Sequence, residues 1–530
     1  MISRARWVDF GIGLCAATLS LHCGDSGEGP GGGGQTGGAP SGGQGQGAAG
    51  AQSNTGGAGG EAESGGAGPG GGGSVDPNMP CADMAVAMNT DLAGYQVDEY
   101  TWRDARCRPR TAAMVHNDVV DPSGHHGGYL RQYRYEPTEG TTRTATGSFD
   151  GHPGFGYTVN HWGDTATLGS QYGGTTALPL QGKNHRIVRY SQMQPIDGQT
   201  VKVTVEWFFA SGRTNPVWSV TYDLTGVPAN SVTADTRSPY GDIGWDGDTG
   251  GDVDGVGWGD RYKFKTVGDG PVTLDSGWDY SEPNTVPYVL EWSASANAEM
   301  GTVQTQTYAQ HDAGGYWFYG SWGTSQPSGP MPQDWNWTYQ LNQYELPFVT
   351  NSHRLAWGAN YGAVGQTQYN AYGDDKTLSG YPYQSYSVFI VLGTHSEEAV
   401  AAQVHEVEAV QSTSLTASQG TVRTKGPAGV ARTDEAQYQP AGYDPIRATW
   451  QIDADGGAFA ITFNVGTGSL ETPVLAVHGW SAADPPATLQ VGDAVFENGK
   501  GFLASVDPTT STLWLTLRTT MTGQVEVRTP

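Results

Sequence analysis

"TVKVTVEWFFA", Thr200 to Ala210, decides the fold. Val201, Val203, Val205 and Trp207 fall on one side of an extended chain, and Lys202, Thr204 and Glu206 on the other. Successive side chains of a strand point to opposite faces, so this spacing predicts a half-buried β-strand. After "SGRTN" comes "PVWSVTYDLTGV", a second strand pattern, and the two read as a hairpin.

The same texture continues outward. "PYVLEW", "GTVQTQTYAQ", "GGYWFYGSW" and "YQSYSVFIVLG" are strand patterns separated by turns rich in Gly, Pro, Asn and Asp. No long helical period interrupts the chain between about 130 and 393. The expectation is an all-β protein, with a large antiparallel β-sandwich over residues 79–393. The absence of a fixed repeat disfavours a propeller or solenoid.

Near Gly393 the pattern changes. In "THSEEAVAAQVHEVEAV", Thr394 and Glu397 form a capping-box signature, and Val400, Val404 and Val407 fit one face of a short helix, while the second half of the stretch reads equally as the start of a strand. A domain junction is placed here. Beyond it, "ATWQIDADGGAFAITFNVG" reads as two strands around an Asp-Gly-Gly turn. "ATLQVG", "GFLASVD", "STLWLTLRTT" and "GQVEVRT" complete a smaller C-terminal β-sandwich over 394–530, an accessory domain.

The N-terminus reads as an address. Arg4 and Arg6 precede an apolar run from about Phe10 to Leu21, a length that suits a signal peptide better than a membrane span. Leu19-Ser20-Leu21-His22-Cys23-Gly24 resembles the bacterial lipoprotein signal. That resemblance covers residues 1–23 alone, and it implies that Cys23 is lipidated and the chain exported to the cell envelope or outer surface. Residues 24–78 are rich in glycine and cannot build a core, so they are expected to be a disordered tether. Some 50 such residues have a mean reach of about 40 Å. In an exported chain the two body cysteines, Cys81 and Cys107, read as a disulfide.

The net charge is −26, which argues against nucleic acid and anionic membrane as partners. The membrane is expected to be met only through the N-terminal lipid, and the protein to be a monomer. Tyrosine and tryptophan are abundant while charged residues are few, a composition that suits glycan binding and structural β-cores alike.

"GWDGDTGGDVDGVGWGD" carries Asp246, Asp248, Asp252 and Asp254 among glycines. Spaced carboxylates on a flexible backbone suit a hard cation, so a structural calcium is one reading, and a solvated acidic turn the other. "HNDVVDPSGHHGG" gathers His116, Asp118, Asp121, His125 and His126, but its spacing matches no HExxH-type zinc pattern.

The segment from Gln304 to Trp357 is the richest in chemistry. His311, Tyr316, Trp317, Trp322, Trp335, Trp337, Tyr339 and Arg354 supply ring faces and polar groups for a saccharide. Asp312, Asp334 and Glu345 stand among those aromatics as acid/base candidates. Glycoside hydrolysis needs two carboxyl groups, one of them held neutral by an apolar setting. The leading expectation is a glycoside hydrolase on a neutral polysaccharide. A polysaccharide lyase would instead use His311 or Tyr316 as base, with Arg354 or a cation to neutralise a uronate. A carbohydrate-binding or adhesive surface protein without catalysis is the third class, in which the aromatics bind or are simply core.

Overall fold

The structure is a computed structural model and describes residues 76–116, 127–147, 154–160, 183–196, 198–223, 226, 236–245, 255–259, 263–266, 286, 288–306, 354–358, 383–425, 438 and 440–530. They lie within one compact unit, Gly68–Pro530. The fold is all-β, with four sheets and one long helix among the described residues.

The first sheet contains β1 (Ala85–Leu92), β2 (Tyr95–Arg103), β3 (Pro109–Val115), β4 (Leu130–Thr138), β5 (Thr141–Thr146), β6 (Phe155–Asn160), β10 (Thr236–Trp245) and β15 (Arg354–Gly358). The second contains, in spatial order, β12 (Lys263–Thr266), β11 (Gly255–Gly259), β13 (Tyr288–Ser293), β14 (Ala298–Gln304), β16 (Tyr383–Gly393), β9 (Val217–Asp223), β8 (Gln199–Ala210) and β7 (His185–Ile196). The expected hairpin is β8–β9, with Trp207 opposite Trp218.

Aromatic side chains seal these two sheets together. Tyr100 stacks on Phe209 with ring centroids 5.4 Å apart. Trp102 Nε1 donates to Arg213 O across the gap at 3.1 Å, and Trp218 Nε1 to Gly156 O at 2.8 Å. Gly156 is required where it stands: a Cβ there would lie 2.3 Å from Cζ2 of Trp207, and its φ of +99° suits glycine.

The third sheet runs β17 (Thr413–Gln419), β21 (Ala460–Glu471), β27 (Thr520–Arg528), β23 (Thr488–Val491), β24 (Ala494–Glu497). The fourth runs β18 (Thr421–Val422), β20 (Thr449–Asp453), β22 (Val474–His478), β26 (Thr512–Leu517), β25 (Phe502–Asp507), with β19 (Tyr443–Asp444) on β20. Most described ladders are antiparallel, but β20 and β22 pair in parallel. Trp450 of the fourth sheet meets Phe463 of the third edge-on at 5.5 Å.

The Asp-Gly-Gly turn forms, but it does not join two strands of one sheet. Asp455 and Ala458 exchange backbone hydrogen bonds of 2.8 and 3.0 Å around Gly456 and Gly457, whose φ values are +60° and +85°. The chain then changes sheets, from β20 in the fourth to β21 in the third. Local turn chemistry sets the reversal, whereas the pairing partner is set by what each strand buries.

The helix α1 (Ala399–Ser412) buries Val400, Val404 and Val407, as their spacing predicts, and Val410 as well. Its start differs from expectation. Thr394 makes no side-chain capping bond and precedes one 3-10 turn, His395–Glu397. Glu397 instead pairs with Arg106 at 2.7 Å. The capping carboxylate comes from another strand: Glu299 Oε1 accepts from Val400 N at 2.8 Å, while its Oε2 meets His395 Nδ1 at 2.7 Å. A buried acid at the positive end of a helix satisfies orphan N–H groups that no local side chain reaches.

The apolar core is continuous from the second sheet through α1 to the third and fourth sheets. Several described strands are buried on both faces, β8 and β26 among them. In β8 only the first half alternates; from Val205 onward every residue is buried. Phe208 there meets Trp514 of β26 at 5.3 Å. All of β26 is buried, Leu513, Leu515 and Leu517 on one side and Thr512, Trp514 and Thr516 on the other.

Candidate functional site

Asp312, Asp334, Glu345, His311, Tyr316, Trp317, Trp322, Trp335, Trp337 and Tyr339 lie outside the described residues, as do Asp246, Asp248, Asp252, Asp254 and Cys23. The backbone of Arg354 is described: it opens β15 and pairs with Gly244 of β10. This register fixes the roots of the two notable segments. The aspartate segment leaves β10 after Trp245, and the aromatic segment ends at Arg354, so those two roots are neighbours on adjacent strands. Each segment connects the first sheet to the second. The expected disulfide is present, joining Cys81 to Cys107 with Cα atoms 5.2 Å apart.

Among the described residues the best candidate for proton chemistry is a group that sequence reading did not assemble. Asp98 on β2 is 4% exposed. Its Oδ2 lies 2.9 Å from His116 Nδ1, and its Oδ1 accepts from Asn89 N at 2.9 Å. A carboxylate on Nδ1 fixes the imidazole's orientation. Tyr100 and Tyr190 are buried near this pair. Burial raises both phenols above their ordinary range; Asp98 adds to the effect, and Arg186 opposes it at Tyr100. Asp98 thus stands between an imidazole and two buried phenols. His116 stood in a suggestive His/Asp run, but Asp98 lies 18 residues upstream on another strand. Only the ladder brings them together.

A second polar cluster sits where the second sheet meets α1 and the fourth sheet. Burial by itself would raise the Glu206 carboxyl, but Arg447 and then Arg189 hold it below the usual carboxylate range. Arg447 Nη2 reaches both oxygens of Glu206 at 3.0 and 3.1 Å. Arg213 donates to the carbonyls of Arg447 and Ala448. His185 is fully buried, with Nδ1 3.0 Å from Ser505 Oγ and Nε2 3.0 Å from Thr516 Oγ1. Burial pushes its pKa down to about 3. The cavity here, lined by Arg213, Glu406, Tyr443 and Trp450 among others, holds about 10 Å³. That is the scale of one water and far below a ligand pocket, and the bonds of the cluster join the sheets to one another.

The cluster makes stability pH-dependent in a defined sense. Burial raises Glu406 to about 7, against the opposing pull of Arg213 and its bond from Gln403 Nε2. Burial raises Asp444 to about 6, with Arg447 opposing. A raised carboxyl favours the fold when neutral. Its contribution is complete below the unfolded value near 4 and is lost as pH rises through 6 to 7. We therefore expect Glu406→Gln to flatten the fall in unfolding free energy between pH 4.5 and 7, read by urea titration across that range. An unaltered slope would show that Glu406 does not titrate in this window.

No group of three or more His, Cys, Asp or Glu among the described residues is placed to hold a metal ion. No described helix is long and apolar enough to cross a membrane. Sheets and clusters together define an all-β, disulfide-bonded protein of sandwich type. Comparison with protein families, characterised proteins and solved structures finds no match.

Proposed function

We propose that this is an exported, envelope-tethered protein that acts on a glycan, hydrolysing a neutral polysaccharide with a carboxyl pair drawn from Asp312, Asp334 and Glu345. His311, Tyr316, Trp317, Trp322, Trp335, Trp337, Tyr339 and Arg354 would contact the sugar, and lipidation at Cys23 with the glycine-rich tether would hold the body near the membrane. What supports this reading is the make-up of residues 304–357 together with one register. The pairing of Gly244 with Arg354 roots that aromatic and acidic segment beside the aspartate segment. Calcium among Asp246, Asp248, Asp252 and Asp254 would neutralise like charge there and serve structure, not catalysis. On that reading a chelator lowers the melting temperature; an unchanged melting curve leaves the segment as a solvated turn.

A second reading, elimination by a polysaccharide lyase, is favoured by one observation: Asp98 holds His116 on one side and interacts with the buried phenols of Tyr100 and Tyr190 on the other. The acidity of the chain weighs against the anionic polymer that a lyase needs. Incubation with a panel of neutral and uronate polysaccharides separates the readings. New reducing ends without unsaturated product select the hydrolase. Unsaturated product selects the lyase. Binding without either product selects a carbohydrate-binding surface protein.

A further inference from the structure

Residues 76–84, where the glycine-rich segment enters the fold, are fastened to distant parts of the chain. Cys81 N donates to Gly499 O at 2.9 Å, and Met84 N to Lys183 O at 2.7 Å. Arg518 is fully buried. Its Nη1 donates to Met79 O at 2.6 Å and to Lys500 O at 2.5 Å, and its Nη2 to Asp76 O at 3.3 Å. One guanidinium thus ties the entering chain to the C-terminal sheets across more than 430 residues. The disulfide ties the same stretch to Cys107 in the β2–β3 turn.

That turn is itself rigid. Asp104 accepts from the backbone N–H groups of Arg106 and Arg108 and from Arg108 Nε, each at 2.9 Å. Arg106 continues the linkage to Glu397 beside α1. Gly212 of the β8–β9 turn lies close by, donating to Arg103 O and packing against Thr516. The strap is thus bonded to the C-terminal sheets and to the β2–β3 turn, and that turn meets the β8–β9 turn and the start of α1.

We propose that residues 76–84 are a redox-locked strap that clasps the C-terminal sheets to the N-terminal ones, open while the cysteines are reduced and closed once they are joined. Closure couples the Sγ atoms of two thiols. Two protons and two electrons pass to a disulfide-bearing oxidant, which becomes a dithiol. Backbone hydrogen bonds alone leave a segment at the edge of a fold free to fray. The covalent link to Cys107 keeps the strap's carbonyls within reach of Arg518, so the disulfide and the guanidinium act together. Arg518 is the necessary partner, because a buried guanidinium left without these acceptors is costly. The strap is independent of the glycan reading, since no residue of the aromatic segment takes part.

Hydrogen exchange on the intact protein tests this, with and without dithiothreitol, which is oxidised to its cyclic disulfide as the two thiols form. On reduction the amides of Cys81 and Met84 should exchange about tenfold faster or more, while those in the β21–β27 ladder keep their protection. The Cys81→Ser/Cys107→Ser variant should match the reduced protein. Arg518→Met, kept oxidised, should speed exchange at Met79 and Cys81. Unchanged strap exchange on reduction, or in Arg518→Met, overturns the proposal. So does an even loss of protection across the whole fold, which would make the disulfide a general staple and not a lock on one segment.

Discussion

Trp207→Ala is expected to destabilise the protein by about 3–5 kcal/mol, the usual range for removing a buried aromatic ring. Trp207 has no exposed surface. Its ring lies nearly parallel to Phe209, 6.2 Å away. Gly156 of the first sheet passes directly against it, so closely that no Cβ fits between them. Such a junction of backbone and indole cannot collapse to fill the space, because the strands on both sides are held by their ladders. The indole nitrogen has no hydrogen-bond partner among the described residues, so the loss is counted as one of packing. Trp207→Phe should therefore cost much less than alanine. Urea unfolding measures both, and a cost under about 1 kcal/mol for alanine would mean that the sheets are not sealed there.

Glu206→Ala should cost about 3 kcal/mol or more, by a different mechanism. The carboxylate is 7% exposed and faces Arg447 and Arg189. Removing it leaves two guanidinium groups near one another, and Arg447 keeps little solvent to compensate. Breaking one partner out of a buried ion pair is far worse than replacing the pair with apolar groups. The double variant Glu206→Met/Arg447→Met should therefore recover much of the loss. If the single and double variants are equally unstable, the penalty is not the orphaned charge. Because Glu206 is held below the usual carboxylate range, its contribution is present above pH about 4.5 and fades as pH falls further, opposite in direction to Glu406.

These two predictions mark how far the sequence could be read. Val201, Val203, Val205 and Trp207 announce one buried face of β8, and they occupy it. The same alternation puts Glu206 on the solvent side, yet it is buried. The period is right in both cases. What the period does not contain is that a second layer, beginning near residue 399, covers the other face of β8. The same holds for Glu299, which caps α1 from another strand while the local Thr394/Glu397 box makes no cap. Asp98 beside His116 is a third case, a dyad assembled by strand register. The acids and aromatics of residues 311–345 were legible as chemistry, and they remain the basis of the proposed function.

From the sequence by itself follow the all-β class, the strands of the 200–223, 288–304, 383–393 and C-terminal stretches, the β8–β9 hairpin, the helix after Gly393 and the pairing of Cys81 with Cys107. All of these rest on short-range causes: side-chain alternation, turn residues, helical spacing and a lone cysteine pair. Only the tertiary structure decides that β20 and β21 enter different sheets, that β8 and β26 are covered on both faces, and that Arg518 grips residues 76–79. Those outcomes depend on which apolar and charged surfaces meet across hundreds of residues, and no local pattern encodes the partner.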